Sequence, residues 1–502
     1  MVVEMITKLR NRLLILAKWL CQCTASNWFF IAMLGLFTFE TLYLAFTSRY
    51  PMAFDENYHF ILIQFFSHRL DPLVTSQPAS SYHLGNIVGN PSFMYHYLLS
   101  FPYRIIAHFT NSVKIQVIGL RLINVSFAIG SLLLIHKTFQ QLQLPRVVSN
   151  LAIFSFALTP IFCVLSAQIN YDNLLIFAVV ASLFLVAKII EQLRLTRQVP
   201  IRETLILATI CVWASLVKYA FLPILVGLVI SAVLIVLAKR QQIKWKNSYT
   251  VLKSHSKFGL AGILVALIVG ATLFVTVYGT NVIRYHNPVP QCNQVLSITD
   301  CKQYYAWDRN YILASTKPAN EKLLGVVHYS VLWLKEVYYQ LFAEIVPAAT
   351  GGLIPIARDY YILLLALTAL GIVCTLPVLP RLLHMYPALS VFSVVVISYT
   401  LFLWSRNYHD YRQLGQAVAI QGRYMLPVLA YLYVLIGLGI QYSLGLSRMR
   451  FLRPITAFTV IVAFIYFGGC VRYVAKISPT TGWKSSAYGI VHTAEIMPPN
   501  MS

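Results

Sequence analysis

Apolar runs long enough to cross a bilayer recur from one end of this sequence to the other, and that repetition leaves few folds open. A hydrocarbon core of ~30 Å takes ~20 apolar residues in a helix. Inside it, only helices and closed barrels satisfy their own backbone polar groups. Clear helical runs lie at about 28–46, 117–136, 147–166, 173–190, 203–217, 219–238, 258–278, 360–379, 387–404, 422–446 and 453–474. Apolar residues fill 58% of 502 positions and charged residues only 11%, too little charge for a water-soluble domain of this size. The expected fold class is an all-α polytopic membrane protein, with about 11 transmembrane helices plus interfacial helices.

The net charge of +23 does not point to nucleic acid, because Lys and Arg sit mainly between the spans, as the positive-inside rule requires. A basic segment (Lys8, Arg10, Arg12, Lys18) precedes the first run. That run lacks a small-residue cleavage site near its end and reads as a retained helix. Two further stretches, 93–109 and 326–346, fit poorly as spans. The first carries His96, Pro102, Arg104 and His108. The second puts Lys335 and Glu336 at its middle, where a buried ion pair is costly. Both read better as helices lying at the interface. If 93–109 alone crossed, the basic loop 239–257 would lie outside. The parity therefore predicts a cytoplasmic N-terminus and an extracytoplasmic C-terminus, with outer segments at 47–116, 167–172, 279–359 and 405–421. The chain divides into a module over 1–278 with its first outer loop at 47–116, an outer loop over 279–359 with an interfacial helix, and C-terminal helices with an outer tail over 360–502.

Six of the eight cysteines (Cys21, Cys23, Cys163, Cys211, Cys374, Cys470) lie in or beside spans and read as packing residues. Cys292 and Cys301 share a hydrophilic loop and can form a disulfide if it faces an oxidising compartment. No Cys/His spacing resembles a zinc site.

The most informative motif is Phe54-Asp55-Glu56-Asn57-Tyr58-His59, just beyond the first span. If 54–66 is helical, Asp55, Glu56 and His59 project towards one cavity. A carboxylate at a membrane boundary can serve as a general base. The plainer alternative is a solvated helix start, with Asp55 as cap and Glu56 favouring the first-turn dipole. Asn170-Tyr171-Asp172-Asn173 supplies a second acidic position at an outer turn, where Asp172 is either functional or a cap. Lys218, in Val217-Lys218-Tyr219, sits between two spans at the outer surface and can snorkel there. Arg423, in Gln421-Gly422-Arg423-Tyr424-Met425-Leu426-Pro427, is either a ligand contact or an interfacial anchor. Glu40 lies inside the first span, facing a cavity or a neighbouring helix. The outer cluster Arg406-Asn407-Tyr408-His409-Asp410-Tyr411-Arg412 has side chains that suit sugars, or form an aromatic belt. The 279–325 loop, with Trp307, Asp308, Arg309 and many tyrosines, is a candidate for acceptor recognition.

An acidic pair after the first span, two interfacial helices, and a span opening with Leu120-Arg121-Leu122-Ile123-Asn124 together resemble the GT-C superfamily of membrane glycosyltransferases. The likeness continues at Asp172 and Lys218 and in the Gln-Gly-Arg-Tyr motif, which looks like one in uncharacterised bacterial members. One departure is Gly89-Asn90-Pro91-Ser92, where related aminoarabinose and protein-mannosyl transferases often carry a basic residue. The resemblance implies a plasma (inner) membrane enzyme. It would take a sugar from a polyprenyl-phosphate donor and pass it to an extracytoplasmic acceptor, which is a lipid, glycan or protein. Asp55 would be the general base, with Glu56 second. Lys218 and Arg423 would bind the donor phosphate, and His59, Asp172 and Arg412 would support them. A divalent cation, Mg²⁺ or Mn²⁺, on Asp55, Glu56 and His59 is compatible but not demanded. Membrane lipids are the other expected partner, and nucleic acid is not. A transporter or flippase of lipid-linked sugars is the alternative, disfavoured by the lack of a visible internal repeat.

Overall fold

A computed structural model describes residues 19–239 apart from 20, 49, 53 and 54, then 241, 243, 244 and 248. It also describes 256–343 apart from 319 and 321, then 358–446 and 452–469. Among these residues the chain is helical, with no β-strand. The basic N-terminal segment, Cys470 and the outer tail fall outside them.

The principal helices are α1 Asn27–Thr47, α2 Glu56–Ser67, α3 Met94–Phe109 and α4 Val113–Gln141. They continue with α5 Arg146–Ala157, α6 Pro160–Ser166, α7 Tyr171–Thr196 and α8 Ile201–Val217. α9 Leu222–Lys239 is followed by α10 Lys257–Phe274, which runs on through a π-helical turn to Tyr285. Then come α11 Tyr305–Thr316, α12 Val326–Ala343, α13 Arg358–Thr375, α14 Pro387–Leu414, α15 Leu426–Leu446 and α16 Leu452–Phe467.

Eight helices are long and apolar enough to cross a membrane, and the α5–α6 pair makes up to nine. This is a multi-pass membrane protein. Helices stand at all the expected span positions, but α8 and α16 have only 17 and 16 residues. The expected straight span at 147–166 is broken. Pro160 opens α6 without a backbone donor, and the two pieces meet at 64°.

Side-chain exposure follows the membrane reading. α10 turns Val265, Ile268 and Val269 outwards with no protein cover. A large apolar core joins α1, α4 to α7 and α13 to α15. A second, smaller core forms under the loop over 47–116. There α2 (Phe60, Ile63, Phe66) and α3 (Met94, Tyr95, Leu99) pack on the start of α4 at Val117 and Leu120. The opposite side of α3 exposes Phe101, Ile105 and Phe109, a pattern that suits a helix lying on a membrane surface. In α12, Lys335 is exposed rather than buried as an ion pair.

Candidate active site

The loop over 47–116 is anchored by a buried ion pair between Arg121 and Glu56. Arg121 donates from Nε to Glu56 Oε1 and from Nη2 to Oε2, both at 2.7 Å. Both side chains are fully buried. Glu56 also accepts the Met52 and Ile169 backbone N–H groups at 2.6 and 3.1 Å. Arg121 Nη1 donates to the Ala45 and Ser48 carbonyls. One carboxylate and one guanidinium thus tie the end of α1, the start of α2, the early part of α4 and the turn before α7. Three residues on, Asn124 Oδ1 accepts from Tyr95 Oη and Asn173 Nδ2, fastening α3 and α7 to the same face of α4. The available signal was a lone Arg in an apolar span, which must find a partner.

Glu56, expected as a second candidate base, is instead fully engaged in holding the fold. Both its oxygens are spent on Arg121 and backbone donors. Nor do Asp55, Glu56 and His59 assemble as a cation site. Among the described residues no three His, Cys, Asp or Glu side chains converge for a metal. The physical reason lies in the backbone. Asp55 is the N-cap of α2 at φ 64°, in the left-handed region, so its side chain leaves the helical face assumed for it. Strain of that kind costs of order 1–3 kcal/mol and persists where neighbouring structure enforces it. His59 turns to a third direction, with Nδ1 2.9 Å from Nε2 of His96 on α3. Burial drives both imidazoles down, His96 to about 3, so the pair is neutral near pH 7.

Asp55 instead opens outwards, with 71% of its side chain exposed, and its Oδ2 lies 3.6 Å from Arg423 Nη2. Arg423 Nε is 4.0 Å from Oδ2 of Asp172, whose Oδ1 accepts from Lys218 Nζ at 2.6 Å. Asp172, Lys218 and Arg423 are all nearly buried. The site is thus a chain of alternating charge that reaches solvent at Asp55. Tyrosine rings complete it: Lys218 Nζ sits 4.2 Å from the Tyr171 ring centroid and 4.8 Å from that of Tyr424.

Local sequence explains each placement. Asn170 caps α7 by accepting the Asp172 N–H, so the aspartate is not the cap. Lys218 stands at the extended break between α8 and the turn Tyr219–Phe221. The Tyr219 N–H there donates to Ser92 Oγ of the Gly89-Asn90-Pro91-Ser92 stretch. Gly422 is needed because α12 lies against it. A Cβ there would stand 2.5 Å from Leu341 N, so only glycine lets α12 seat the turn that presents Arg423. From the long outer loop, Tyr304 packs beside Tyr58 with ring centroids 6.3 Å apart. Its phenol is pushed up to about 12 by burial and by the nearby Asp55 charge. Cys301, three residues before it, is bonded to Cys292, with sulfurs 2.14 Å apart.

The structure does not bring every candidate here. Arg412 is exposed at the end of α14, where its carbonyl accepts from Lys317. Arg406 pairs with Asp410 within the same helix at 3.4 Å. Glu40 accepts a thiol hydrogen bond from Cys163 and is buried between α1 and α6.

No family model and no curated protein matches the chain. Among solved structures it is similar to the oligosaccharyltransferase AglB of Archaeoglobus fulgidus in complex with an inhibitory peptide and a dolichol-phosphate. The identity is 13% and the TM-score 0.46, over 88% of this chain and 55% of that one. The apo form of the Archaeoglobus fulgidus oligosaccharyltransferase gives 13% and 0.45, over 92% and 57%. The chain spans about half the length of these structures. At such TM-scores and identity, the likeness establishes neither a shared fold nor a shared activity.

Proposed function

We propose that this protein is a membrane glycosyltransferase of GT-C type that moves a sugar from a polyprenyl-phosphate carrier to a hydroxyl or amide acceptor outside the cytoplasm. The observation that carries the reading is the exposed carboxylate of Asp55 within 3.6 Å of a buried guanidinium, itself next to the Asp172–Lys218 pair. Transfer needs a base at the acceptor and cations at the leaving phosphate, close together at a membrane surface. Asp55 takes the acceptor proton. The acceptor atom bonds the anomeric carbon as the bond to the carrier phosphate breaks. The leaving phosphate takes the electron pair, and Lys218 and Arg423 stabilise its charge. Arg423 suits a planar two-point contact and Lys218 a point charge.

Arg423 lies 3.6 Å from Asp55 and 4.0 Å from Asp172, so its cation stands between the proposed base and the Asp172–Lys218 pair. Tyr58 and Tyr304 flank Asp55 as faces against which an acceptor can stack. The residues present do not fit a Mg²⁺ or Mn²⁺ set on Asp55, Glu56 and His59, so no step is assigned to a cation. Mass spectrometry of lipid-linked sugars in cells with and without the protein tests the reading. Accumulation of an unused polyprenyl-phosphate sugar in the outer leaflet of cells lacking the protein is expected. Accumulation confined to the inner leaflet would instead identify a flippase.

A further inference from the structure

One cavity has no part in the site above. It lies among α5, α13, α15 and α16, encloses about 350 Å³, and is walled by Leu151, Ala152, Leu367, Ile436, Ile440 and Val460. That volume falls in the range of small-molecule sites. Its polar lining includes two arginines, Arg146 in the first turn of α5 and Arg453 in the first turn of α16.

The cavity opens at the end of the bundle far from Asp55. Asn150, one turn into α5, donates to the Thr24 and Ser26 carbonyls at the start of α1. The other end of α1 is held by Arg121 beside Glu56. The 21 residues of α1 span about 30 Å between them. Both arginines therefore sit about a membrane thickness from the candidate active site.

We infer that this cavity binds an anionic phospholipid, with its acyl chain along the apolar walls and its phosphate at Arg146 and Arg453. Charge complementarity selects this occupant. Two arginines and two helix N-termini border the cavity, with no carboxylate among its described lining residues. Arg453 has unused capacity for it. Its Nη2 donates to the Gln441 carbonyl, but its Nε is buried without a hydrogen-bond partner among the described residues. A buried guanidinium donor left unmet is costly, and a lipid phosphate oxygen satisfies it. Basic pockets between transmembrane helices at one membrane face take anionic head groups in this manner.

The test is native mass spectrometry of the full chain in detergent, with phosphatidylglycerol or phosphatidylcholine of identical acyl chains added. The wild type should retain phosphatidylglycerol in preference. The Arg146→Gln/Arg453→Gln double variant should lose roughly thirtyfold of that preference, about fivefold for each cation. Equal retention of both lipids by the wild type would overturn the inference, as would an unchanged preference in the double variant. Arg146 is exposed, so Arg146→Gln alone serves if the double variant does not fold, and an unaltered preference there has the same force. The readout is lipid retention, so it stands or falls apart from any result on sugar transfer.

Discussion

Asp55 and Glu56 are neighbours in the chain and opposites in the fold. Glu56 is sealed at 0% exposure in a bidentate pair with Arg121 at 2.7 Å; Asp55 is 71% exposed and 3.6 Å from Arg423. A buried carboxylate with all its acceptor sites filled holds helices together and has nothing left for a ligand. An exposed one keeps acceptor sites that a ligand can use. The switch between them is a single backbone residue, Asp55 at φ 64°, which lies outside the helix that Glu56 begins.

The contrast breaks most sharply in stability. Glu56→Ala leaves the buried Arg121 charge without its carboxylate, at a cost of about 3–5 kcal/mol, whereas Asp55→Ala should cost no more than about 1 kcal/mol. Thermal unfolding in detergent of the two variants measures the difference. Similar losses would mean that the two acids are not divided as described. A smaller effect is expected at the disulfide. Replacing Cys292 and Cys301 by Ser frees the loop before Tyr304, should cost roughly 2–3 kcal/mol, and should change mobility on a non-reducing gel.

The buried imidazoles give a pH dependence that belongs to the closed region alone. Burial lowers His96 from 6.5 to about 3. The unfolded chain therefore binds a proton there that the folded chain refuses. Its stability is intact above about pH 6.5 and falls as pH drops towards the folded value, by about 2 kcal/mol at pH 5. His96→Gln should flatten that slope in melting curves taken between pH 7 and 5. The open region gives the smallest change. Lys218→Ala should weaken binding of a polyprenyl-phosphate analogue about tenfold, ~1.4 kcal/mol, near the low end for a charge-assisted hydrogen bond. Unchanged affinity would remove Lys218 from the donor site.

How much of this was legible beforehand depended on whether the signal was local. Apolar runs mark their own helices, so α1, α4, α7, α9, α10 and α13 to α15 stand at their expected positions, although α14 runs ten residues past 404, through polar residues that the apolar run does not include. The bend between α5 and α6 is a competition between one apolar run and Pro160, and the run was given too much weight. Asp55, Asp172, Lys218 and Arg423 stood out because charge is scarce here, and the fold brings them together. Helical spacing over 54–66 puts Glu56 on one face with Asp55 and His59, and spacing cannot show that Asp55 leaves the helix. Its partner Arg121 lies 65 residues away, a distance no local pattern spans. Gly422 likewise has meaning only once the α12 backbone is seen against it.

The most direct test of Asp55 as the base is the transfer rate per folded molecule of Asp55→Asn, in reconstituted protein given a polyprenyl-phosphate sugar and its acceptor. The variant keeps the shape and loses the base. A fall of about 10²–10⁴-fold with an unchanged melting temperature is the expected result. Transfer at the wild-type rate would contradict it.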